Sequence, residues 1–314
     1  MFLGFDVGGT TLRCALYDPQ WQLVRSHTQR IRHTQQGQVS ADQLARHIAN
    51  ARDLLCDGAP AALGVGLAAQ MDASGSHVHN APNLGWRDVA FADILQEQLG
   101  QRAHLVNDLN ALLVGEAVGG AVEGIEDVLA VYVGTGVGGA ILSGGRLVLG
   151  AGGVAAELGH VKVKPGGRLC GCGERGCLEA YVGGIHLERQ VAELAQNTPW
   201  RAQVVRQDGS VDLGAADALS DSIQALGALW ERSADALALC VANAVTLLNP
   251  RALLLGGGVL THCERLKETT LARMPGWVLS AARPGLRVVF ASREDAGMLG
   301  AARLAWEARQ QDKS

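Results

Sequence analysis

Two α/β domains built on one repeated order of elements are what this sequence predicts, and three observations carry the expectation. Short apolar runs of strand length alternate with segments of helical period along the chain. The piece GFDVGGTTLRCALYD near the start returns as VYVGTGVGGAILSGG in the middle, each a strand, a glycine turn and a second strand, which is the mark of internal duplication. The chain of 314 residues is long for one domain and suits two, and 41 glycines against 4% aromatics favour small-residue packing over glycine turns.

The elements follow in order. FLGFDVGG (2–9) is a short apolar strand; TLRCALYD (11–18) and QLVRSHTQR (22–30) alternate as two more. A helix is expected over 40–56, with Ser40 as N-cap and Leu44, Ile48, Ala51 and Leu55 on one face. AALGVGLAAQ (61–70) reads as a buried strand, DVAFADILQEQLG (88–100) as a helix closed by Gly100, and AHLVND (103–108) as a strand ending on polar residues. The second half opens with strands at 127–136, 138–144 and 146–150. Long helices are expected around 178–196 and 217–248, strands at 251–258 and 287–292, and a closing amphipathic helix at 296–311. The expected boundary leaves residues 1–108 as the N-terminal domain, completed by the helix of 297–314, and 109–296 as the C-terminal domain.

A net charge of −4 offers no electrostatic footprint for nucleic acid. The opening residues lack the charged and apolar regions of a signal peptide, and no stretch approaches a membrane span, so a cytoplasmic protein is expected. Of seven cysteines, Cys14, Cys56, Cys240 and Cys263 lie scattered in apolar contexts and read as small core residues. Cys170, Cys172 and Cys177 fall within eight residues, and such a cluster in a cytosolic chain points to metal before disulfide.

Three glycine turns end strands. Turns of this kind present several backbone N–H groups close together, and glycine lets a phosphate approach them, although each alone could be an ordinary hairpin. Thr10 and Thr135 add hydroxyls at equivalent places in the first two, and Asp6, just before the first, is placed to hold Mg²⁺. Gly134 to Gly139 fits G-x-G-x-x-G on paper. The dinucleotide reading requires those glycines to open a helix, whereas AILSGGRLVLG follows and reads as strand, so that reading is set aside. The third turn is Gly256, Gly257 and Gly258, where a flat ring could lie against backbone. Asn107 and Asp108 stand where a strand enters a helix, the position of a helix cap or of a general base at a strand end.

Taken together, DVGGT (6–10), ND (107–108), GTGVGG (134–139), ELGH (157–160), CGCGERGCLE (170–179) and LGGG (255–258) resemble, in order, the ROK family of sugar kinases. The resemblance implies the duplicated actin/hexokinase-like (ribonuclease H-like) two-domain ATPase fold, with ATP, Mg²⁺ and a hexose as ligands. It implies that Asp6, Gly8, Gly9, Thr10, Thr11, Gly134, Thr135, Gly136, Gly138, Gly256, Gly257 and Gly258 serve the nucleotide. It further implies that Asp108 is the catalytic base and that Asn107, Asp108, Glu157, His160 and Glu179 meet the sugar. His160, Cys170, Cys172 and Cys177 make a Cys₃His set suited to tetrahedral Zn²⁺, with no open position and hence a structural role; a cluster of reactive thiols is the competing reading. Two positions depart from the pattern: Ala156 stands where glycine often precedes the sugar-binding glutamate, and Thr11 where lysine often follows GGT. The implied reaction is phosphorylation of a hexose at its 6-hydroxyl, with glucose the expected substrate, supported by NAPNLGW (80–86). An N-acetylglucosamine or N-acetylmannosamine kinase is the alternative. A non-catalytic sugar sensor is more remote, because the first motif begins at residue 6 with no DNA-binding domain ahead of it. A homodimer is expected from the resemblance.

Overall fold

The computed structural model describes residues 1–31 and 38–311; the last three residues expected in the closing helix lie outside them. The chain divides into two compact units, one of residues 1–125, 140–155 and 291–314, the other of residues 126–139 and 156–290.

The first half runs β1 (Phe2–Val7), β2 (Thr11–Tyr17), β3 (Leu23–Arg30), α1 (Ala41–Leu55), β4 (Ala62–Leu67), β5 (Gln70–Met71), β6 (Val78–Ala81), β7 (Trp86–Val89), α2 (Phe91–Leu99), β8 (His104–Asn107) and α3 (Asp108–Ala117). The second runs β9 (Val128–Val133), β10 (Val137–Ser143), β11 (Arg146–Leu147), α4 (Glu179–Val182), α5 (Gly184–Ala195), α6 (Arg201–Val204), α7 (Leu213–Ala218), α8 (Gln224–Leu248), β12 (Ala252–Gly256), α9 (Gly258–His262), α10 (Glu264–Trp277), β13 (Arg287–Phe290) and α11 (Ala296–Gln311). One five-stranded sheet has the order β3-β2-β1-β4-β8 and the other β11-β10-β9-β12-β13. Counted within each set, both orders are third-second-first-fourth-fifth, so the repeat read from the glycine-turn pieces is a repeat of topology. In the first sheet β1 pairs antiparallel with β2 and parallel with β4, which pairs parallel with β8. The register aligns Val7, Leu67 and Asn107, so three parallel strands end at one edge.

Alternation along β1 sorts its two faces. Leu3, Phe5 and Val7 join Leu44 and Ile48 of α1 and Phe91 and Leu95 of α2 in one core. Phe2 faces the other way, with Met298 and Leu299 of α11. Glycine lets α11 lie almost on that face: a Cβ on Gly4 would strike the Met298 carbonyl, and one on Gly64 the Ala301 carbonyl. The same device seats α11 against α3, where a Cβ on Gly300 would strike the Ala111 carbonyl. Glu116, fully buried on α3, accepts hydrogen bonds from Ser292 N (2.7 Å), Arg293 N (2.8 Å), Ala121 N (2.8 Å) and Ser292 Oγ (3.1 Å), anchoring the chain that leads into α11.

Several elements differ from expectation. Residues 88 and 89, read as the start of a helix, end the strand β7, and β5, β6 and β7 make a three-stranded sheet that short, weakly alternating runs did not announce. The helix read at 178–196 breaks at Gly183, which is extended (ψ 136) while the next helix starts anew. The helix read from 217 begins at Gln224, after an extended Ile223. Ser40 stands at the N-cap of α1 but makes no side-chain cap bond. Gly100 closes α2 in the left-handed region as expected (φ 65).

Gly300→Val forces a branched side chain into the Ala111 carbonyl. Overpacking of this kind costs about 2 kcal/mol or more, expected to lower Tm by roughly 4 °C or more. A thermal melt showing an unchanged midpoint would refute the close seating of α11 on α3.

Candidate functional site

The first glycine turn joins β1 to β2 and is closed by Gly8 N donating to Thr11 O (2.9 Å). Gly9 packs against Asn83: a Cβ on Gly9 would lie 3.2 Å from that of Asn83, a tight approach. The Thr10 carbonyl accepts from Ile31 N (2.9 Å), leaving the Thr10 side chain at the exposed tip. Asp6 faces Arg13 across the two strands and pairs with its guanidinium; its carboxyl carbon also lies 3.1 Å from where a Cβ of Gly297 would be, at the start of α11.

Asn107 ends β8 two strands away, at the same edge of the sheet, about 10 Å across at the usual strand spacing. It is the N-cap of α3: its Oδ1 accepts from Leu109 N (2.9 Å) and Asn110 N (3.2 Å), and its Nδ2 donates to Ala69 O (3.2 Å). The capping role therefore belongs to Asn107. Asp108 opens the helix, half-buried, with Oδ1 accepting from Leu109 N (3.0 Å).

In the other unit the second glycine turn is tight, with Gly134 N on Gly136 O (2.9 Å). A strand follows it, β10, which removes the dinucleotide reading. Its carbonyls are engaged by the start of α5: Gly134 O accepts from Gly184 N (2.8 Å) and Thr135 O from Ile185 N (3.1 Å). That engagement is why the chain breaks helix at Gly183. Gly138 lies within β10. The third turn touches the second: Gly257, left-handed at φ 95, has room for no Cβ against the Val133 carbonyl, with Gly256 ending β12 and Gly258 opening α9.

Cys170, Cys172, Cys177 and His160 converge, with one donor atom from each lying within 4.8 Å of every other. Cys172 Sγ is 3.7 Å from Cys177 Sγ, and Cys170 Sγ is 3.8 Å from His160 Nδ1. A tetrahedral zinc with Zn–S of roughly 2.3 Å has edges of about 3.8 Å, so the donors stand where such an ion fits. The cysteine loop is built to hold them: Cys170 N bonds Glu174 O (2.8 Å), Gly176 N bonds Arg168 O (2.8 Å), and Gly173 and Gly176 turn with φ 89 and 84. Burial pushes the Cys170 thiol up to about 12. At Cys172 burial acts the same way, but the backbone near Glu174 and the neighbouring thiols outweigh it and lower the pKa.

Glu179 joins this cluster to the second turn. Its Oε2 accepts from Val137 N (3.0 Å) and its Oε1 from Cys170 Sγ (3.5 Å). A Cβ on Gly136 would sit 2.5 Å from that Oε2 and would push the carboxylate off this position. Glu157 approaches the cluster from the other side, with Oε2 3.8 Å from His160 Nε2. Ala156 before it holds φ 64. A left-handed alanine costs about 1 kcal/mol or more, which is the physical reason glycine suits this position.

Three neighbours escaped the sequence reading. Lys162 donates to Cys177 Sγ (3.0 Å), and that bond raises the ammonium pKa; alternation from His160 was the only available hint. His186, its pKa lowered by burial, places a nitrogen within 4.8 Å of Cys170 and Glu179. Arg13 was a polar residue on a strand with no local sign of its partner.

The sequence profile of the ROK family matches residues 2–308. The glucokinase of Thermotoga maritima is 32% identical over 96% of this chain and 95% of its own length. The N-acetyl-D-glucosamine kinase of Vibrio vulnificus is 26% identical over 96% and 98%. Among solved structures, the ROK family glucokinase of Streptomyces griseus in complex with glucose and AMPPNP superposes with a TM-score of 0.79 at 30% identity, covering 98% of this chain and 99% of that one. An architecture duplicated in this way, with a glycine turn in each half, is the actin/hexokinase-like ATPase fold. The chain belongs to the ROK family.

Cys14 and Cys263 are pushed by burial to about 12, and Cys240 to about 11, so near pH 8 less than about one in a hundred of each is thiolate. In chelator-treated protein iodoacetamide is expected to modify Cys172 before these three, while untreated protein keeps Cys172 protected. Peptide mass spectrometry reads the order; Cys172 reacting equally fast with and without chelator would remove the metal from the cluster.

Proposed function

We propose that this chain transfers the γ-phosphoryl group of ATP to the 6-hydroxyl of a hexose, with glucose as the preferred sugar. One observation carries the reading: 32% identity to a glucokinase over 96% of this chain and 95% of that protein. A second reading, an N-acetylhexosamine kinase, has the 26% relative in its favour.

In the proposed reaction the 6-oxygen attacks the γ-phosphorus, its proton passes to Asp108, and the bond to the bridging oxygen of ADP breaks. Phosphoryl transfer asks the protein mainly for positioning, charge neutralisation and one proton acceptor. Asp108 suits the last because Leu109 N holds one of its oxygens and α3 fixes its backbone at the sheet edge. The turns around Gly8, Gly9, Thr10 and Thr11, and around Gly134, Thr135, Gly136 and Gly138, offer amides and hydroxyls to phosphates. Gly256, Gly257 and Gly258 would lie along the base. Mg²⁺ would be held at Asp6 and would neutralise phosphate charge. Glu157, His160, Glu179 and Asn107 would bond sugar hydroxyls.

The four donors His160, Cys170, Cys172 and Cys177 would hold zinc, which when bound supplies structural rigidity to the loop between Glu157 and Glu179. Its test is the protection of Cys172 from alkylation. The proposal also includes a homodimer in the cytoplasm, the assembly being read from light-scattering mass. Among the described residues no helix is long and apolar enough to cross a membrane.

Asp108→Asn keeps shape and removes the acceptor. It is expected to lower kcat by about 100-fold or more with little change in glucose KM. Near-normal kcat would leave Asp108 a helix residue only.

Substrate choice is decided by kcat/KM with ATP for glucose and N-acetylglucosamine. Carboxylates placed to bond hydroxyls discriminate against an analogue that leaves them unpaired. Glucose is expected to lead by at least about tenfold, or about 1.4 kcal/mol. A ratio near one or reversed would assign the chain to the second reading.

A further inference from the structure

The small sheet β5-β6-β7 of the first unit carries a second cluster of metal-ligating side chains, and the proposed reaction uses none of them. His77 immediately precedes β6 and His79 lies within it, so the two share one face. The register pairs Val78 with Val89 and Asn80 with Arg87, which places His79 opposite Asp88 on the neighbouring strand. His77 Nε2 stands 3.7 Å from Asp88 Oδ1, and the imidazole centroids are 5.4 Å apart with their planes tilted by 59°. One donor atom from each of the three residues lies within 4.8 Å of the others. The cluster is open to solvent, the Asp88 side chain being 80% exposed and that of His77 36%.

The turn before His77 is set independently of any ion. Asp72 Oδ1 accepts from Ser76 N (2.9 Å) and His77 N (3.2 Å), and Oδ2 accepts from the Ser74 and Ser76 hydroxyls (2.8 and 2.9 Å). His77 is therefore held in place beside His79. A simple ion pair accounts for His77 with Asp88, but it gives no role to His79, which closes the triangle.

We propose that His77, His79 and Asp88 form a solvent-facing site for a divalent ion of the zinc, nickel and copper class, with water completing the coordination. Two imidazoles and one carboxylate suit borderline transition ions, whereas Mg²⁺ and Ca²⁺ favour oxygen-only shells. The site contains no sulfur, which separates it chemically from the Cys₃His cluster. An ion here would tie β6 to β7. The turn between these strands carries Asn83, the residue packed against Gly9, so occupation would stiffen the support of the first glycine turn.

The test is titration of untagged full-length protein with Ni²⁺ alone, followed by calorimetry, and with Co²⁺ alone, followed by absorption. Wild type is expected to bind about one added Ni²⁺ per chain, and His77→Ala/His79→Ala to bind it at least about tenfold more weakly; losing even an outer-shell partner costs that much. Asp88→Asn, which keeps a residue tolerant of the left-handed backbone at φ 51, serves as the second variant and is also expected to weaken binding. Added Co²⁺ should show only weak visible bands. Absence of Ni²⁺ binding by wild type, equal affinity in both variants, or an intense thiolate-to-Co²⁺ band for the added ion would each overturn the site.

Discussion

The Glu179 carboxylate is the link on which the second unit's candidate site depends. One oxygen holds Val137 N at the exit of the second glycine turn, and the other faces the Cys170 thiol. A carboxylate shared in this way makes the turn and the cysteine cluster one structure. The same segment closes the connection by a second route, since α5 begins where Gly134 and Thr135 offer their carbonyls to Gly184 and Ile185. The glycine at 136 follows from this arrangement: any side chain there would displace the carboxylate. The glycine turn, the acid and the cysteine cluster thus share one set of constraints.

The first unit solves a different problem, the support of Asp6 and Asp108 at one sheet edge. Helix α11 supports the sheet from beneath, and it can do so only because Gly4, Gly64 and Gly300 present no Cβ to its carbonyls or to those of α3. Close backbone approach brings the start of α11 to Asp6 and fixes α3, whose first residue is Asp108. The buried Glu116 completes the joint by taking the amides of Ser292 and Arg293, groups that would otherwise be left unpaired.

Periodicity and motif order were enough to read the repeat, because period-2 runs and glycine turns are local signals. The boundaries that failed were set by tertiary partners. The Gly183–Gly184 pair within 178–196 is a local breaker signal, outweighed in the expectation by the helical period around it; what fixes the break in the fold is that carbonyls some fifty residues earlier in the chain take the next helix's amides. The strand at Trp86–Val89 owes its form to β6, through pairs such as Ala81 with Trp86. At the site, cysteine spacing with His160 announced the donor set, since ligand spacing is a property of the chain. Lys162 and His186 reach it through folding and carry no comparable signature. Ala156 is an instructive case: the departure from glycine is visible in the sequence, and its cost becomes explicable only from the positive φ.

Of the two readings that the strand end allowed, Asn107 takes the helix cap. Both acceptor lone pairs of its Oδ1 are engaged by Leu109 N and Asn110 N, so the side chain has no acceptor capacity left for a hydroxyl proton. Its amide nitrogen carries two protons, and Ala69 O takes one. Any bond from Asn107 to a sugar in the proposed complex must therefore be a donation to a sugar oxygen. Asp108 next to it is acceptor-only when ionised. Neighbouring residues of the same strand end thus impose opposite hydrogen-bond directions: a hydroxyl that gives its proton to Asp108 cannot exchange roles with one that accepts from Asn107. The helix cap is what enforces the distinction, because it consumes the lone pairs that would have made Asn107 ambiguous.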